Sequence, residues 1–137
     1  MNMKPRIRDY IFAVLWALST LVIGVLGLPT LLVPRWALWT GWVWCNFSLW
    51  LLRKVCGIHS YVRGYSNMPQ GPAIYASKHQ STWDTMMLYA LLRTPTFVLK
   101  RSLYLIPIFG WYLWRAGQIG IDRKAGKRAL DQIVTQA

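Results

Sequence analysis

The chain has 137 residues, room for one small domain, and its 16 Lys and Arg against four acids give a net charge of +12. Hydrophobic residues make up 55% of it, nine of them Trp, which is too apolar for an ordinary soluble nucleic-acid binder. Apolar blocks flanked by Arg and Lys suit an anionic membrane surface or a phosphate-bearing substrate instead.

The first block, Tyr10 to Pro34, contains no charge and follows Lys4, Arg6 and Arg8. At about 1.5 Å per residue it can cross a hydrocarbon core of about 30 Å. A cleaved signal peptide shares the charged start, but its apolar core is only about 7–15 residues long. A retained anchor is therefore expected. The second block, Trp36 to Leu52, is short for a full span and carries Trp36, Trp39, Trp42, Trp44 and Trp50. Indole rings favour the headgroup level, so this block is expected at an interface or partly inserted. Arg35 and Pro34 separate the two blocks, which together read as a helical hairpin over residues 1–56. Positive charge before, between and after them leaves the topology open. Cys45 and Cys56, in or beside the second block, read as reduced and structural.

From Gly57 the composition changes. His59 to Tyr65 alternates like a short strand, and Ser66 to Pro72 is a turn cluster. Ala73–Ser77 reads as a strand. Ser81 to Leu92 has apolar residues at helical spacing (Trp83, Met86, Met87, Ala90 and Leu91). Thr94 to Lys100 reads as a strand, Ile106 to Ala116 as a short helix with Pro107 near its first position, and Gly117 to Ile121 as another strand. From Arg123 a last helix is expected, its apolar stripe stopping mid-pattern at Ala137, as in a fragment. The alternation gives an α/β fold class: a membrane-associated helical hairpin followed, over residues 57–137, by an incomplete alternating α/β domain.

Within this frame Ser77 to Asp84 carries the chemistry. Ser81 as N-cap and Asp84 three residues on match a capping box. In the plain reading Asp84 only caps the helix, and His79 is a loop residue. On one continuous helix the two side chains would point about 140° apart. His79, however, precedes the cap, in the turn leaving Ala73–Ser77, where the chain can fold it back over Asp84. A carboxylate on one imidazole nitrogen leaves the other free to take a proton. That is a base and its orienter, as acyl transfer to a substrate hydroxyl requires. His59 has no second ligand at metal spacing and reads as structural or interfacial; no metal is expected.

His-x-x-x-x-Asp between an apolar strand and a helix resembles the first motif of the glycerolipid acyltransferases, above all the 1-acylglycerol-3-phosphate (lysophosphatidic acid) acyltransferases. Phe97 to Trp111, with its Lys, Leu, Pro and Phe-Gly, resembles their second block, and Gly117 to Arg123 its end. The resemblance implies that His79 deprotonates the free hydroxyl of a lysophosphatidic acid acceptor. That oxygen attacks an acyl thioester on coenzyme A or acyl carrier protein, a co-substrate rather than a cofactor. Asp84 would orient His79. Lys100, Arg101 and Arg123 would hold the acceptor phosphate, and Pro107 and Gly110 would shape the pocket around it. The chain would sit on membrane lipid, at a bacterial inner membrane with the catalytic part on the cytoplasmic side, and nucleic acid is excluded as a partner.

The sequence departs from the family in three places. Lys78 replaces the usual Asn before the histidine, and Ser102 replaces an acid after the basic pair. The acids are Asp9, Asp84, Asp122 and Asp131, and without any glutamate the chain cannot hold the family's later Glu-Gly-Thr-Arg motif. The fourth, Pro-centred motif is also missing. These residues alone are therefore expected to transfer acyl groups poorly. The alternative is a non-catalytic, membrane-anchored module on anionic lipid.

Overall fold

The computed structural model describes residues 6–122 and 133–135. Two antiparallel helices form its base. Helix α1 spans Ile7–Leu26 and starts where Asp9 accepts the Arg6 backbone N–H at 2.8 Å. A 3-10 turn, Leu28–Leu32, leads into α2, Pro34–Leu51, with proline at its first position, where no N–H is needed. A turn of π-helix, Leu52–Cys56, follows, and Gly57 ends it in the left-handed region. Small polar side chains join the two helices. Trp16 Nε1 donates to Ser48 Oγ at 3.0 Å, and Trp44 Nε1 to Thr20 Oγ1 at 2.9 Å. Indole N–H groups buried in an apolar seam need such acceptors.

Helix α3, Thr82–Leu92, lies against α2. Tyr89 Oη donates to the Leu38 carbonyl at 3.2 Å, and Trp42 Nε1 donates to the Ala90 carbonyl at 3.1 Å. Strands β1, Val98–Lys100, and β2, Ile119–Ile121, pair in parallel, with Leu99 opposite Gly120. Parallel strands need a long crossover, here residues 101–118, containing α4, Phe109–Arg115. Ring contacts run from Phe12 through Trp16 and Trp44 to Phe109, linking α1, α2 and α4. Cys45 is buried, Cys56 half-buried, and both are free thiols.

The helices expected in the two apolar blocks and after Ser81 are present, but the α/β alternation is thinner than expected. Among the described residues the protein is mostly helical, with one sheet of two short strands. Residues 59–65 and 73–77 are not strands. Among the described residues neither segment has a neighbouring strand to take up its backbone N–H and C=O groups, and Ile74 is 99% exposed. Pro107 is not near the first helical position of α4 either. The helix begins at Phe109, after a γ-turn in which Phe109 N–H donates to the Pro107 carbonyl at 2.7 Å. That turn holds Ile108 at φ +64°, a strained value for a β-branched residue. The helix expected from Arg123 lies outside the described residues, except for a helical stretch at 133–135.

Candidate active site

The start of α3 brings His79 and Asp84 together. Ser81 is extended at φ −159°, which turns the chain from the irregular 68–80 segment into the helix. Asp84, at the third helical position, uses both carboxylate oxygens. Oδ2 accepts the Gln80 and Ser81 backbone N–H groups at 2.7 and 2.9 Å. Oδ1 meets His79 Nδ1 at 2.7 Å. An ionised carboxylate can only accept, so the proton of this bond sits on Nδ1. In the neutral ring Nε2 then carries the lone pair, and it has no hydrogen-bond partner among the described residues.

The electrostatics agree. The Gln80 N–H, followed by the Ser81 N–H and the His79 ring, holds the Asp84 carboxyl well below the usual carboxylate range, against an opposing cost of desolvation. The Asp84 side chain is 17% exposed, whereas that of His79 is 66% exposed. The carboxylate is thus fixed from below and the imidazole faces solvent. A ring held in this way can take a proton at Nε2 while Asp84 stabilises the resulting imidazolium.

Thr85 was not singled out from sequence. Its hydroxyl donates to Asp84 Oδ1 at 3.3 Å and lies 3.5 Å from His79 Nδ1. A hydroxyl one residue beyond the aspartate is the only sequence signal for it. Gln118, buried inside what reads as a plain strand, was also missed. Its Oε1 accepts the Phe97 N–H at 2.7 Å, and its Nε2 donates to the Ala116 and Pro95 carbonyls at 3.2 and 3.3 Å. It ties the entry of β1 to that of β2.

Of the other expected site residues, those described are not joined to this pair. Lys100 and Arg101 are exposed at the end of β1, and no hydrogen bond or ion pair links either to His79 or Asp84. Gly110 is buried, and a Cβ there would run into the backbone of Tyr104. Arg123 lies outside the described residues. Among the described residues no three His, Cys or Asp side chains gather closely enough to hold a metal ion. A shallow concavity lies elsewhere, lined by Leu31, Leu32, Trp111, Trp114 and Arg115.

Residues 59–136 match the family model described as Acyltransferase, and the chain belongs to that family. A curated 1-acyl-sn-glycerol-3-phosphate acyltransferase of Pseudomonas aeruginosa is 39% identical over 99% of this chain and 54% of its own length. A chloroplastic 1-acyl-sn-glycerol-3-phosphate acyltransferase of Arabidopsis thaliana is 25% identical over 95% of the chain and 38% of its own length. One from Chlamydomonas reinhardtii is 37% identical over 62% and 27%. The chain thus spans about half the length of its Pseudomonas relative, and less of the others. No solved structure matches.

Proposed function

We propose that this protein transfers a fatty acyl group from an acyl thioester to the free hydroxyl of 1-acylglycerol-3-phosphate, giving phosphatidic acid. His79 Nε2 takes the hydroxyl proton as the oxygen attacks the thioester carbonyl. The carbonyl carbon gains a bond to that oxygen and loses its bond to sulfur, and the proton leaves with the thiol. Asp84 holds the ring and stabilises the imidazolium. The observation that carries this reading is the 2.7 Å bond from His79 Nδ1 to Asp84 Oδ1 with Nε2 open to solvent. Family membership and the activity that names the Pseudomonas relative support the reaction class.

Lys100, Arg101 and Arg123 are proposed to hold the acceptor phosphate, with Gly110 shaping the helix beside it. The donor is acyl-coenzyme A or acyl carrier protein. Helix α1, long and apolar enough to cross a membrane, is read with α2 as the anchor over residues 1–56; residues 57–137 supply the N-terminal portion of the acyltransferase domain. A bacterial inner membrane, with the catalytic part on the cytoplasmic side, is the setting.

The test is phosphatidic acid formation from lysophosphatidic acid and acyl-coenzyme A or acyl carrier protein, by the full-length protein in lipid vesicles. A His79→Ala variant is expected to lose about 10²–10⁴-fold in rate while staying with the vesicles. Full activity in that variant removes His79 as the base. Vesicle binding by a wild type that transfers nothing to any lysolipid acceptor favours a non-catalytic lipid-binding module.

A further inference from the structure

Helix α4 is fastened to the end of α1 and to the turn that follows it. Tyr112 Oη donates to the Gly24 carbonyl at 3.1 Å. Arg115 donates through Nε and Nη2 to the Leu31 and Leu32 carbonyls at 2.6 and 2.7 Å. An element of the acyltransferase segment is thereby fixed to the end of the one described helix that is long and apolar enough to cross a membrane.

Beyond those bonds α4 leaves large apolar surface uncovered. Trp111 is 52% exposed and Trp114 70%. Three residues apart, they share one side of the helix. With Leu31, Leu32 and Arg115 they line a shallow, mostly apolar concavity. Leu105, in the turn before α4, is 83% exposed. The last two turns of α1 expose Leu21, Val22, Val25 and Leu26. Charge selects the occupant. No acid occurs between Asp9 and Asp84 or between Asp84 and Asp122, while Arg35, Arg101 and Arg115 lie in the turns and helix ends of this region. Indole rings beside guanidinium groups suit the boundary of acyl chains and anionic headgroups.

We propose that Trp111, Trp114, Leu105 and Leu32 form one lipid-contacting surface with the exposed side of α1, so that α4 itself enters the headgroup layer of an anionic bilayer. This rests on the reading of α1 as the membrane anchor. The acyltransferase segment then touches the bilayer directly instead of hanging from a tether.

Spin labels placed one at a time in the full-length protein test this, in a Cys45→Ala, Cys56→Ser background and in vesicles of phosphatidylglycerol and phosphatidylethanolamine. The positions are Trp114→Cys, Leu105→Cys, Val14→Cys on α1 and Tyr61→Cys in the irregular, exposed 57–64 segment. Such backbone stays in water because lipid cannot satisfy its polar groups. All four side chains are exposed, so replacing them leaves the packing in place. Labels at Trp114, Leu105 and Val14 are expected to meet apolar oxygen severalfold more readily than a water-soluble nickel chelate, and the Tyr61 label the reverse. If Val14 is lipid-exposed but Trp114 and Leu105 behave like Tyr61, the anchor stands and the α4 surface is overturned. If Val14 also behaves like Tyr61, the anchor fails as well. Labels at Trp114 and Leu105 shielded from both reagents indicate that protein, from the same molecule or a second copy, covers this face, which also overturns the proposal.

Discussion

Helices α1 and α3 begin with the same device. Each has an aspartate at its third position, and each aspartate accepts the N–H of the residue capping the helix, Arg6 for Asp9 and Ser81 for Asp84. At α1 the carboxylate takes up no further hydrogen bond among the described residues. At α3 the same oxygen also takes the Gln80 N–H, and the other oxygen holds His79. A capping aspartate is therefore not a site by itself. It becomes one when a histidine lies just outside the cap, where the incoming chain can fold the ring over the first turn. Capping and orienting are not rival roles for Asp84, because its two oxygens divide them.

The contrast is broken or sharpened most strongly by neutralising each aspartate in turn. Asp84→Asn keeps the size of the side chain but removes the charge that fixes the imidazole and balances the imidazolium. Turnover of the full-length protein is expected to fall about 10²–10⁴-fold. Asp9→Asn is expected to leave turnover unchanged, and equal losses would erase the distinction.

Next come changes that disturb the fold away from the pair. Gly110→Ala drives a Cβ into the Tyr104 backbone and is expected to cost about 3 kcal/mol, read as a lower midpoint in chemical denaturation. Gln118→Leu strands the half-buried Phe97 N–H and is expected to cost about 1 kcal/mol in the same measurement. In both variants the molecules that remain folded should keep the His79–Asp84 bond, seen by NMR.

Smaller effects separate the two helix ends themselves. Asp9→Ala removes one cap acceptor at an exposed helix start, worth about 0.5 kcal/mol. Acid acts locally at α3. The Asp84 carboxyl is depressed in the folded chain, so the stability it adds is fully present above the ordinary Asp value of about 3.9 and is lost as pH falls below it toward the lower folded value. Amide exchange in the first turn of α3 should therefore stay slow at mildly acidic pH and quicken only under strongly acidic conditions. Fraying that begins near pH 6 would contradict the bonding at Asp84.

Much of this was legible in the sequence. Long apolar runs separated by Pro34 and Arg35 gave α1 and α2, and Ser81 with Asp84 gave the start of α3. Those signals are local, and local chemistry decides them. The strand readings at 59–65 and 73–77 failed because a strand depends on a neighbour that no local pattern reveals. The γ-turns at Arg93 and Ile108 were invisible because neither residue type favours positive φ; packing imposes it. Gln118 escaped because its partners at Phe97 and Pro95 are more than 20 residues away. The pairing of His79 with Asp84 was readable as a possibility, because five residues and one turn separate the two. The distance between the oxygen and the ring nitrogen came only with the fold.

The most direct test of the central claim is the ¹⁵N NMR spectrum of the His79 ring in the folded chain at neutral to mildly alkaline pH. The account predicts a proton on Nδ1 and a bare, lone-pair-bearing Nε2, with that preference lost in Asp84→Asn. A proton resident on Nε2, or an even mixture unaffected by Asp84→Asn, would contradict it.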